Sequence, residues 1–162
     1  MPHTNVKSEW VNGNLLFRDK DQNLVAASLG AVGAQHGSTL TIRKRFTVAE
    51  VNAGATILPA APGLRYRMVD ASIIAVGGAA TAHTSIDIIG TVSTARKLVA
   101  FLVAGTTQST LLRAGAATNG VILADGASFT ANDANTAVTI GKTGTDVATA
   151  TDIDISFSFV VE

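Results

Sequence analysis

From Asp152 to Val161, apolar and polar residues alternate without a break. Ile153, Ile155, Phe157, Phe159 and Val161 fall on one side, and Asp152, Asp154, Ser156 and Ser158 on the other. A period of two sustained this long predicts a half-buried antiparallel strand. Thr39–Val48 alternates in the same way, with Leu40, Ile42, Phe46 and Val48 on the apolar side. Lys44 falls on that side too, so this strand is expected to run past the core edge or to bend there. Asn52–Pro59 reads as a turn and a short strand ended by Pro59, and Pro62-Gly63 as a second turn. Leu64–Val76 is a long strand with a bulge or bend, stopped by Gly77-Gly78. Thr84–Val92 and Lys97–Ala104 are two more strands, and Ser109–Arg113, Val121–Leu123 and Ala137–Ile140 are shorter ones.

No segment carries a sustained i, i+3, i+4 stripe, and turn residues separate the strands at short intervals. The pattern predicts an all-β fold, a jelly-roll-like antiparallel β-sandwich of about eight strands over residues 38–162. Residues 1–37 read differently. Leu15–Phe17 and Leu24–Ala26 are apolar with the polar Asp19–Asn23 between them, as in a hairpin, and Gly30–Gly37 reads as a flexible connection. Residues 1–37 are thus expected to form an N-terminal hairpin arm. A lone two-stranded hairpin is marginal in water, so the arm must pack on its own domain, a sister subunit or a partner.

Composition thins the expected core. Of 162 residues, 47% are hydrophobic, but 27 are Ala, which buries little area; only six Phe, one Trp and one Tyr are present. The sandwich is therefore expected to have a modest margin of stability that an oligomer would raise. Twenty Thr favour sheet. The absence of Cys excludes a disulfide framework, a thiolate metal site and a cysteine nucleophile. The longest apolar run, Leu98–Ala104, has the length of a buried strand and falls far short of the ~18 residues that cross a bilayer. The first residues, Met1–Trp10, are polar, so synthesis in a cytoplasm without a standard export signal is expected.

The formal net charge is zero, which excludes a strongly basic nucleic-acid binder. Neutrality hides a gradient. Residues 1–67 carry eight basic and four acidic side chains, and residues 68–162 carry four basic and eight acidic ones. Such asymmetry suits docking between copies or on a partner.

Candidate chemistry is sparse. His3, His36 and His83 are scattered. His83 lies near Asp87, which makes a dyad conceivable, but a solvated loop histidine is the expectation. Gly141-Lys142-Thr143 ends like a phosphate-binding loop, yet Thr136 stands where that motif needs its first Gly. Asp152 and Asp154 share a strand face and offer too few oxygens for a hard cation. The expectation is therefore no enzyme, no catalytic residue, no metal and no cofactor. Arg43 and Arg45 share one face of their strand, and Arg65 and Arg67 one face of theirs. Four arginines on neighbouring strands could grip the carboxylates of a partner protein. The aromatics are not interleaved with bases, which argues against direct nucleic-acid binding.

Several segments together resemble small structural proteins of tailed bacteriophages. They are Asn52–Asp70 (NAGATILPAAPGLRYRMVD), Thr84–Gly90 (TSIDIIG), Lys142–Phe157 (KTGTDVATATDIDISF), and Gly13–Asp19 with Gln22–Val25. The chain resembles the jelly-roll head decoration, or cement, proteins. That resemblance implies a structural virion protein without catalysis, made in the host cytoplasm. It would sit on the outer capsid surface as a homodimer or homotrimer and bridge adjacent capsomers through the major capsid protein, with no membrane contact. The arm would contribute Trp10, Leu15 and Phe17 as apolar anchors, and Arg43, Arg45, Arg65 and Arg67 would offer charge. A tail, baseplate or head-fibre component built on the same sandwich is the alternative.

Overall fold

The computed structural model describes residues 7–11, 14–18, 24–27, 39–115, 120–123 and 128–162, with the backbone alone before Thr39. The chain divides into two compact units with the boundary after Ser38.

The N-terminal unit holds β1 (Lys7–Val11), β2 (Asn14–Arg18) and β3 (Leu24–Ala27) in one antiparallel sheet of order β1-β2-β3. The expected hairpin is β2–β3, and β1 adds a strand that the sequence reading did not foresee. Its signal was present: only Asn12 and Gly13 separate the paired residues Val11 and Asn14, and Asn-Gly is the favoured link of a two-residue hairpin. Residues paired directly in an antiparallel ladder lie on one face of the sheet. Trp10 pairs with Leu15, and Phe17 with Ser8 and Ala26, so Trp10, Leu15, Phe17 and Ala26 occupy the same face. Asp19–Asn23 and Gly30–Gly37 lie outside the described residues.

The second unit begins with β4 (Thr39–Thr47), helix α1 (Val48–Ala53) and β5 (Ala55–Leu58). The long strands β6 (Tyr66–Val76), β7 (Thr81–Val92) and β8 (Thr94–Leu102) follow. A 3-10 turn at Val103–Gly105 leads to the short β9 (Leu112–Arg113) and β10 (Val121–Leu123), and then to β11 (Val138–Ala148) and β12 (Asp152–Val161). One sheet has the order β4-β12-β6-β9 and the other β10-β8-β7-β11-β5. Successive strands change sheet except at the β7–β8 hairpin and at β10–β11. This is the winding of a jelly roll of eight strands with the short β10 added at one edge.

The strand pattern explains the layers. In β12, Ile153, Ile155, Phe157 and Phe159 are buried and the intervening Asp and Ser residues are not. The facing strands supply Ile86, Ile88, Val99, Phe101, Val138 and Ile140, all nearly inaccessible. In β6, burial changes parity: Tyr66 and Met68 point inward, then Ala71, Ile73 and Ala75. Only an extra residue can shift the phase this way, so the expected bulge falls at Val69–Asp70. The β6–β7 turn needs its glycine. Gly77 has φ +76°, and a Cβ there would lie 2.4 Å from Thr151 Oγ1.

Two expectations are corrected. The turn at Asn52 closes a helix rather than following a strand directly. Thr47 and Glu50 form a reciprocal capping box, and Gly54 ends the helix in the left-handed region (φ +83°). Thr47-Val-Ala-Glu50 carried that signal in the sequence. Strand β11 continues past Ile140 to Ala148, because its register against β7 shifts at Thr143/Gly144 and breaks the simple alternation.

Lys44 sits on the inner side of β4 between Ile42 and Phe46, as its parity requires. It neither bends the strand nor enters the core. Its ammonium lies 4.6 Å from the centre of the Phe46 ring and donates to the Thr56 carbonyl at 2.9 Å. Strands β4 and β5 are edges of opposite sheets, so Lys44 links the two layers along one open side.

Candidate interaction surface

The outer face of the four-stranded sheet carries a groove of about 560 Å³. It is lined by Arg43, Lys44 and Arg45 of β4, Ser72 and Ile74 of β6, Asp154, Ile155 and Ser156 of β12, and Leu111 before β9. Its charge pattern comes from strand register. Arg45 stands opposite Asp154, and Arg43 opposite Ser156. Arg45 Nε and Nη2 donate to the two Asp154 oxygens at 2.6 and 2.8 Å. This fork holds the Asp154 carboxyl below the usual carboxylate range, chiefly through the side-chain hydrogen bond. Asp154 is thereby neutralised by Arg45, and Asp152 accepts from the Thr151 hydroxyl at 3.0 Å.

The four arginines do not form one grip. Strand β12 stands between β4 and β6, so they are not on neighbouring strands. Arg65 exchanges backbone hydrogen bonds with Glu162 (2.8 and 2.9 Å), six residues beyond Ser156. At ~3.3 Å per residue the two pairs lie about 20 Å apart along the sheet. Arg67 is held by Glu162 at 2.5 Å. The structure thus brings Arg43 and Arg45 together, and places Arg65 and Arg67 at the far end. Trp10 and Leu15 sit paired on β1 and β2, with Phe17 two residues on; their side chains lie outside the described residues. Leu111, Ser72 and Ile74 escaped the sequence reading, because the bulge in β6 hides which of its residues face outward.

His83 is buried, contrary to the expectation of a solvated loop residue. Its Nδ1 donates to the Thr81 carbonyl at 3.1 Å, and Nε2 lies 3.4 Å from the Thr106 hydroxyl. Asp87, fully buried in β7, has other partners. Ser85 and Thr143 hydroxyls donate to it at 2.7 and 2.6 Å, and the Lys97 ammonium lies at 3.0 Å. A buried carboxylate held by a cation and two hydroxyls is satisfied, and His83 and Asp87 thus have separate partners. Lys142 and Thr143 lie in mid-strand. Lys142 pairs with Asp146 at 2.7 Å and donates to the Gly144 carbonyl, so its ammonium is tied back to its own strand rather than to a phosphate cradle.

No protein-family model, no curated protein and no solved structure matches this chain.

Proposed function

We propose that this protein is a structural component of a bacteriophage virion. In this reading it is a decoration protein that binds the outer surface of the capsid and stabilises it by bridging neighbouring capsomers, as a homodimer or homotrimer. The observation that carries the reading is the division of the chain. A jelly-roll sandwich is joined to a separate three-stranded sheet, whose register collects Trp10, Leu15, Phe17 and Ala26 on one face. A small three-stranded sheet with aromatic residues gathered on one face is stabilised by a surface that covers it. The resemblance to cement proteins names that surface as the shell. A protein that binds only the assembled shell stabilises it by its binding free energy at every site.

Cryo-electron microscopy of the particle carrying this protein tests the reading. Density for the sandwich on the capsid exterior, over contacts between capsomers, is expected. Density on the tail, baseplate or a head fibre would replace the reading with that of a tail or fibre component. As a second arm, Trp10→Ala and Phe17→Ala are expected to reduce co-sedimentation with capsids lacking the protein. Undiminished binding would reject the arm as the contact.

A further inference from the structure

The groove on the four-stranded sheet holds an uncompensated cation. Around it, Arg45 is taken by Asp154 and Arg113 by Asp70. Arg43 has no side-chain partner among the described residues, because the position opposite it on β12 is Ser156. The hydroxyls of Ser72 and Ser156 line the same groove and also have no partner among the described residues. Beside them are Ile74 and Leu111, and Leu111 is 61% exposed.

We propose that this groove docks an acidic segment of a partner protein. One carboxylate would sit on Arg43, and an aliphatic side chain next to it would rest on Leu111 and Ile74. Charge complementarity selects the occupant. A guanidinium with a free fork matches a carboxylate in two-point geometry, and two serine hydroxyls can donate to the same oxygens. The apolar pair removes an aliphatic side chain from water. A nucleic-acid strand, with its repeated phosphates, fits less well, because Arg45 is already taken by Asp154 and Arg43 alone could pair with only one phosphate of the repeat. A peptide carrying one acid beside one aliphatic residue meets both Arg43 and Leu111. The inference concerns the sandwich alone and stands whether or not the protein sits on a capsid.

The test is a titration of the ¹⁵N-labelled full chain with an extended Thr-Val-Glu-Leu-Thr peptide blocked at both ends, read by amide chemical shifts. The Gln counterpart of that peptide and a short single-stranded oligonucleotide are run in parallel. Shifts confined to β4, β12 and Ser72–Ile74 are expected with the Glu peptide. The Gln peptide and the Arg43→Gln variant should each bind about tenfold more weakly, the loss of one charge-assisted contact. Leu111→Ser should weaken binding by a smaller factor. Both substituted side chains are exposed, and an unchanged thermal melt confirms that the variants fold. Equal binding of Glu and Gln peptides, unaffected binding by Arg43→Gln, shifts elsewhere, or no shifts at millimolar peptide would each overturn the proposal. Saturating oligonucleotide shifts on the same residues would overturn the choice of occupant.

Discussion

Asn52 and Val147, 95 residues apart in the chain, exchange two hydrogen bonds. The Asn52 side-chain amide donates to the Val147 carbonyl at 3.2 Å and accepts from the Val147 N–H at 2.8 Å. The amide supplies one rung of a ladder to β11 beyond the last residue that β5 pairs, Ala55 with Ile140. This is how helix α1 is fastened to the five-stranded sheet. A side-chain amide offers a donor and an acceptor side by side in one plane, as a peptide group does.

Asn52→Ala removes both bonds and leaves two part-buried backbone groups of Val147 to water or to nothing. The expected loss is about 1–3 kcal/mol in urea unfolding. Asn52→Asp keeps the bond from the Val147 N–H and loses the other, so its stability should fall between. A loss no larger than that of a surface substitution would show that water replaces the amide without cost.

Asp154 gives the acid limb of stability. Its pKa is lowered in the folded protein, chiefly by the hydrogen bonds from Arg45. A group with a depressed folded pKa contributes stability that is complete above its unfolded value, about 4, and is lost as pH falls through the folded value. The Glu50 carboxyl is lowered as well, first by the Thr47 backbone N–H, and acts in the same window. Asp154→Asn should therefore be less stable than the parent at pH 7, and the gap should close below about pH 4. Because the pair is largely solvent-facing, the gap should also shrink in high salt. A gap that persists at pH 2 would mean that Asp154 acts through packing rather than charge.

Lys44 guards an edge. Strand β4 ends its sheet, and a nine-residue edge with free backbone groups invites pairing with another chain. An inward-facing charge on such an edge is a recognised block to that pairing, since a second strand would have to bury it. Lys44→Val continues the apolar side between Ile42 and Phe46. It is expected to keep or raise thermal stability while producing concentration-dependent association beyond the parent's state, read by light scattering on a sizing column. An unchanged mass at all concentrations would reject the guarding role.

The core tolerates little loss. Phe157 is fully buried and stacks on Phe159 with ring centres 5.8 Å apart, and Tyr66 meets Phe159 edge-on at 5.6 Å. These three rings are a large share of the aromatic area in an Ala-rich interior. Phe157→Ala should cost about 3–5 kcal/mol in equilibrium unfolding, enough to bring a sandwich of this size close to unfolding at ambient temperature. A cost near 1 kcal/mol would show that the two sheets close over the gap.

Where alternation is unbroken, the sequence was sufficient. β12 could be read residue by residue, and β4 as far as Thr47, with Val48 falling in the helix that follows, because side chains in a strand alternate and one-sided burial writes that alternation into the chain. The turns at Pro62-Gly63 and Gly77-Gly78 were legible because their glycines take positive φ. Legibility ended where register shifts. The bulges in β6 and β11 scramble parity, so the extent of β11 and the outward set Ser72 and Ile74 were hidden. Helix α1 was legible in principle through its capping box, but it is too short to show a stripe.

Tertiary structure alone decided which strands are neighbours. The sequence placed Arg43, Arg45, Arg65 and Arg67 on the right faces, but only sheet order put β12 between the two pairs. Pairing across the sheet then gave Asp154 to Arg45 and Ser156 to Arg43, leaving the Arg43 guanidinium without a side-chain partner among the described residues. His83 and Asp87 make the same point. A polar residue near a turn looks solvated along the chain, and only the packing of β7 among its neighbours buries it and supplies the partners that burial demands. Alternation is a local property that one strand records by itself. Order, register and charge pairing belong to several strands at once, and no single stretch of sequence carries them.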